Sequence, residues 1–135
     1  MNKMIKFILV IILCISTNFS FAQTQFEMNK EAGGNYLKAD KELNLIYNKI
    51  LKEYKSDTEF IKNLKASQII WIKFRDSEMK VKFPDREVGY YGSIQPVCRY
   101  SYLEKLTKIR INDLKVWLTG IEEGDVCSGS VKMKE

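Results

Sequence analysis

Histidine is absent from all 135 residues of this chain. That removes the usual general base of hydrolytic triads and the commonest nitrogen ligand of zinc. Only three cysteines and two prolines are present, and the seven glycines are scattered without the lysine that a phosphate-binding loop requires. Glu122 and Glu123 are neighbouring carboxylates, but on a polar tail with nothing beside them to raise one pKa they are not an acid–base pair. No enzyme, cofactor or metal is expected. The chain also lacks a strong charge of either sign. Its formal net charge is +5, two of it from Lys3 and Lys6, and the remaining lysines alternate with Glu and Asp as on a solvated helix face. A nucleic-acid partner is therefore not expected.

The one sustained apolar run, Phe7 to Ile15, follows a short basic start and precedes Ser20-Phe21-Ala22. It is too short to cross a bilayer, and Ser16, Thr17, Asn18 and Ser20 interrupt its continuation. Residues 1–22 read as a signal peptide cut after Ala22, which implies a secreted or periplasmic protein without a stable membrane anchor. Cys14 goes with the leader. Cys98 and Cys127 remain, an even pair in an oxidising compartment and not in a CxxC arrangement, so one disulfide between them is expected.

The rest reads as a single all-α domain over 23–127, followed by a disordered tail over 128–135. Gly33-Gly34 should weaken or bend a helix. Beyond them Tyr36, Asp40, Leu43, Tyr47, Ile50 and Tyr54 recur at threes and fours, with Ala39, Asn44 and Leu51 at the margins of the face. Ser56-Asp57-Thr58-Glu59 matches a capping box, so a second helix starts at once and should pack against the first as an antiparallel hairpin. Its face carries Phe60, Leu64, Ser67, Trp71 and Phe74, and it runs to about Lys82. At its centre, Gln68, Trp71 and Arg75 share a stripe, and Arg75 should find Asp40 across the hairpin, with Asn44 and Gln68 satisfying the remaining groups.

Phe83 to Gly92 is a long loop with Pro84, two glycines, Tyr90 and Tyr91, expected to fold back over the core on its own side chains. Ser93 and Pro96 then open a third helix with a stripe at Val97, Leu103, Leu106, Ile109 or Arg110, Leu114 and Trp117, stopped at Thr119-Gly120. The expected fold is a small bundle of three main antiparallel helices with a long loop before the last and one disulfide.

Four motifs occur in order: A-D-x-x-L-N-x-x-Y from Ala39 to Tyr47, Q-x-x-W-x-x-x-R-D from Gln68 to Asp76, G-S-I from Gly92 to Ile94, and L-T-x-x-R-x-x-x-L from Leu106 to Leu114. In these the chain resembles the LprI-type lysozyme inhibitor domain, a bacterial exported family. The resemblance implies an all-helical extracytoplasmic binding domain, with lysozyme or another peptidoglycan hydrolase as partner. It also marks Asp40, Leu43, Asn44, Tyr47, Gln68, Trp71, Arg75, Asp76, Thr107 and Arg110 as the family's structural positions. Where the family pattern places two further cysteines, this chain has Glu31 and Met79. The residues expected to reach a partner are Tyr90 and Tyr91 of the loop, or Glu122, Glu123 and Asp125 of the acidic run. The other reading is an envelope interaction module without inhibitory activity.

Overall fold

A computed structural model of the chain describes residues 3–134, with side chains from residue 24. Three helices make up the fold: α1 (Lys3–Glu53), α2 (Thr58–Lys82) and α3 (Gln95–Thr119). Among the described residues there is no strand, only an isolated parallel bridge between Ile121 and Met133. The leader's apolar run and the cleavage site after Ala22 lie outside the residues whose side chains are described. Among those described, no helix is long and apolar enough to cross a membrane.

The core is built from Ala39, Leu43, Ile46 and Ile50 of α1, Leu64 of α2, and Ile111 and Leu114 of α3. On α1 these positions are four, three and four apart, so they form one buried strip. The centre of that strip is rotated from the expected one: Ile46 belongs to it, and Tyr36 and Tyr47 flank it half-buried. The rotation follows from which helices pair. The closest backbone packing is between α1 and α3 rather than within the α1–α2 hairpin. Small residues at buried or close positions of α1, Ala32, Gly33 and Ala39, leave room for α3 to approach. Gly33 shows this directly, because a Cβ built there would lie 3.5 Å from Cε2 of Tyr100. The Tyr100 ring stacks on Tyr36 at 6.2 Å. α1 runs unbroken through Gly33-Gly34, where the sequence predicts a weakened or bent helix.

α2 is joined to α1 by the short turn at 54–57 and leans on the pair through large side chains. Tyr54, Phe60 and Trp117 form a chain of ring contacts at 4.6 and 6.1 Å that closes one end of the bundle. The Tyr54 hydroxyl donates to the carbonyl of Trp117 at 2.9 Å. Phe74, expected on the packing face, is 51% exposed, and Gln68 takes a buried place on that face. The cap of α2 is Asp57, whose Oδ1 accepts from the Phe60 N–H at 2.9 Å, one residue later than the capping-box reading from Ser56. α3 is capped at Ile94 with no side-chain bond, so Ser93 does not serve as its cap.

Cys98 and Cys127 are both exposed and unbonded, which corrects the expected disulfide. The expectation needed the tail to run stretched along α3. Instead it turns back at the end of α3: the Ile121 N–H donates to Lys132 O at 3.0 Å, and the Lys134 N–H to Ile121 O at 2.8 Å. The Trp117 indole donates to Ser130 Oγ at 3.0 Å. Cys98, in the first turn of α3, is about 30 Å of helix away from that end, far beyond disulfide reach. Residues 128–134, read as a disordered tail, thus lie against the closed end of the bundle, where Lys132 Nζ also reaches Glu53 at 2.6 Å.

Candidate functional site

The polar stripe of α2 is drawn into the packing between helices. Arg75 places Nε and Nη2 on Asp76 Oδ1 at 3.0 and 2.8 Å and Nη1 on the Tyr36 hydroxyl at 3.5 Å. Asp40 stands 4.0 Å from Nη1, so the expected cross-helix pair exists at its outer limit while Asp76 takes the close contact. Asn44 donates to Asp40 Oδ2 at 3.3 Å, as expected. Gln68 serves a different arginine: Arg110 Nε donates to Gln68 Oε1, and its Nη2 to Ser67 Oγ, both at 3.1 Å. Trp71 lies between the two guanidinium groups, 5.5 Å from Arg75 and 6.0 Å from Arg110. Burial lowers the pKa of Arg110, and burial is also the main cause that raises that of Tyr36. Thr107 is fully buried in α3, and its Oγ1 has no hydrogen-bond partner among the described residues. Arg75 is paired with Asp76, and Arg110 is held by the neutral Gln68 and Ser67, so the cluster links helices.

The loop between α2 and α3 is ordered by its own aromatics. Gly89 and Gly92 have positive φ of 87° and 68°. Two successive turns follow, from the Tyr90 N–H to Glu87 O at 3.1 Å and from the Gly92 N–H to Gly89 O at 2.9 Å. Tyr91 folds inward: its hydroxyl donates to Pro84 O at 2.7 Å and its ring meets Phe83 edge-on at 5.9 Å. Phe83 in turn meets Tyr102 at 6.3 Å and lies under Arg99 at 5.6 Å. Tyr90 remains outside, 68% exposed, edge-on to Tyr91 at 4.9 Å and covered by the Arg86 guanidinium at 5.8 Å. The loop therefore does fold back as predicted, except at Tyr90, which it presents to solvent.

Glu122, Glu123 and Asp125 lie at the other end of the bundle, so the two sets of predicted contact residues do not converge on one site. Glu122 is paired with Lys134, and Asp125 Oδ1 accepts the Cys127 N–H at 2.8 Å. Among the described residues no group of His, Cys, Asp or Glu is placed to hold a metal. One feature escaped sequence reasoning: an open groove of about 460 Å³ between α2 and α3, floored by Phe60, Leu64, Leu114 and Trp117 and edged by Asp57, Glu59 and Arg110. Its only signal in the sequence is aromatic residues near facing helix ends.

The family model described as lysozyme inhibitor LprI matches residues 16–114. This chain belongs to the LprI family. No curated protein and no solved structure matches it. The LprI match takes in the polar stripe and the whole 83–94 loop, and it ends before Trp117 and the acidic run. Within the matched segment, Arg110 donates to Gln68 and lies over Trp71, one of the contacts that join α3 to α2.

Proposed function

We propose that this protein is exported, with its leader cut after Ala22, and inhibits lysozyme or another peptidoglycan hydrolase by pressing the 83–94 loop into the enzyme's sugar-binding cleft. The observation that carries this reading is Tyr90: a large, exposed ring on a loop braced from behind, within the segment matched by the lysozyme-inhibitor family. A braced aromatic gives up little conformational entropy on binding, which is why such residues dominate interface energetics. Glycoside hydrolases flank the scissile bond with two carboxylates, so a loop that fills the space between them stops the reaction without chemistry of its own. The acidic run is the weaker candidate because Glu122 and Asp125 are already engaged.

The test is lysis of bacterial cell walls by several lysozymes with purified protein in excess. Inhibition should fall at least tenfold when Tyr90 and Tyr91 are both replaced by Ala, about the effect of losing one interface anchor. It should persist in Glu122→Gln/Glu123→Gln. Unchanged lysis with the unaltered protein would remove the inhibitor reading. A second reading, an envelope interaction module without inhibitory activity, is favoured by one observation: α2 exposes Ile70, Phe74 and Val81 to solvent at 66%, 51% and 76%.

A further inference from the structure

The groove between α2 and α3 is bordered by a cation that lacks a close counter-ion. The helices run antiparallel here, with Phe60 near Trp117 and Ser67 near Arg110. Phe60, Leu64, Leu114 and Trp117 floor a space of about 460 Å³. Trp117 is fixed by the bond from its indole to Ser130, which also lines the groove, so the floor is formed before anything binds. Arg110 borders the groove half-buried. Its guanidinium carries five N–H donors, and the structure shows two of them engaged, on Gln68 Oε1 and Ser67 Oγ, both neutral. Among the described residues it forms no ion pair, and Asp113, three residues on, attracts it only from a distance. Arg75 makes the contrast, with Asp76 at 2.8 Å and Asp40 at 4.0 Å. Charges withdrawn from water are as a rule paired. The acids that line the groove, Asp57 and Glu59, lie about 12 to 15 Å along α2 from Ser67. Both are engaged there, Asp57 by the Phe60 N–H and Glu59 by Lys62 and Asn63.

We propose that this groove binds a carboxylate amphiphile, a fatty acid or a similar molecule with one carboxylate head and an unbranched apolar tail. The head pairs with Arg110, and the tail lies along the floor past Leu64 and Leu114 toward Phe60 and Trp117. A planar guanidinium fork matches a carboxylate in shape as well as charge. An apolar cleft of this size with a few polar groups at its edge has the usual make-up of a small-molecule site. An extended peptide suits it less. The walls are helices whose backbone groups are used internally, so a peptide's own N–H and C=O groups would lie unpaired over the floor, whereas an alkyl tail has none to satisfy. Asp57 and Glu59 at the remote end disfavour a second carboxylate, which limits the ligand to a single head. The groove lies at the end of the bundle away from the Tyr90 loop, so the site is independent of the inhibitor reading.

The test is a nuclear magnetic resonance titration of the purified protein with decanoate below its micelle concentration, beside decanol and decyltrimethylammonium as tails of equal length with neutral and cationic heads. Decanoate should shift the Trp117 indole N–H and bind about tenfold or more tightly than either of the others. Arg110→Gln should weaken decanoate by about tenfold or more and leave decanol unchanged, a split that mere loosening of α3 from α2 would not give. Asn63→Trp, an exposed change at the groove's edge, should block decanoate with an unchanged unfolding midpoint. Equal binding of decanoate and decanol, undiminished decanoate binding in Arg110→Gln, or shifts that spare Trp117 overturn the proposal. Failure of decanoate to bind, whether or not a short peptide with a free C-terminal carboxylate binds instead, does so too.

Discussion

Replacing Gly120 by Ala probes how the end of the bundle is closed. Gly120 ends α3 with φ 73° and ψ 175°, a region open essentially to glycine alone. Holding a side-chain-bearing residue there costs about 1 to 3 kcal/mol. The position is also crowded. An added Cβ would lie 2.9 Å from Lys132 O, 3.0 Å from Lys134 N and 3.0 Å from Met133 C, all of them backbone atoms that no rotamer change can move. The chain has two escapes. Residue 120 can shift, breaking the bond from its N–H to Val116 O, or the tail can leave, losing both bridge hydrogen bonds and the Trp117–Ser130 contact. At roughly 1 kcal/mol for each partly exposed hydrogen bond, releasing the tail costs about as much as the strain. Release, at about 3 kcal/mol for the three bonds, added to the strain therefore caps the total near 4 to 6 kcal/mol. Gly124 is the control: its φ is 91° but a Cβ there meets nothing within 4 Å, so Gly124→Ala should show strain alone, about 1 kcal/mol. Urea unfolding followed by circular dichroism gives the free energies, and tryptic cleavage at Lys132 and Lys134 reports whether the tail has detached. A Gly120→Ala protein as stable as the Gly124→Ala control, with tail cleavage no faster, would refute the reasoning.

Three further outcomes follow from the packing. Trp71→Ala should destabilise by about 3 kcal/mol in urea unfolding, the low end for a large core side chain, because Trp71 is only half-buried between Arg75 and Arg110. Thr107→Val should leave stability unchanged or raise it by up to about 1 kcal/mol, since the hydroxyl it removes is buried without a partner among the described residues. Burial raises the pKa of Tyr36 and of Tyr47 above 10.0. A raised pKa favours the neutral form in the folded state, so this contribution is complete below pH 10 and is lost as pH rises through the folded values. Unfolding midpoints should be flat from pH 7 to 9 and decline above about 10, more steeply than in Tyr36→Phe/Tyr47→Phe.

The helices were legible because each carries its own local signals. The turn at 54–57, the end of α2 at Lys82 and the glycine stop at 120 stand where propensity and turn chemistry put them. The family positions were legible as a set through order and spacing. Which of them touch was not. Their faces alone predict Arg75 and Asp40 as partners, yet Asp76, one residue away, takes the close contact, because the rotamer of a long side chain is decided by every neighbour within reach. The stripe on α2 points Gln68 to Arg75, yet it serves Arg110, since no pattern in α2 places α3, which carries that arginine.

By itself the sequence determined that this is an all-helical chain of the LprI kind with no histidine for catalysis, and where its aromatic loop lies. It determined these because composition, periodicity and turn chemistry are local quantities. Tertiary structure decided that α1 packs most closely on α3, that Cys98 and Cys127 stand apart, and that Tyr91 turns inward while Tyr90 does not. Those depend on how closely two backbones approach across small residues such as Gly33 and Ala39, a distance that no spacing along one helix encodes.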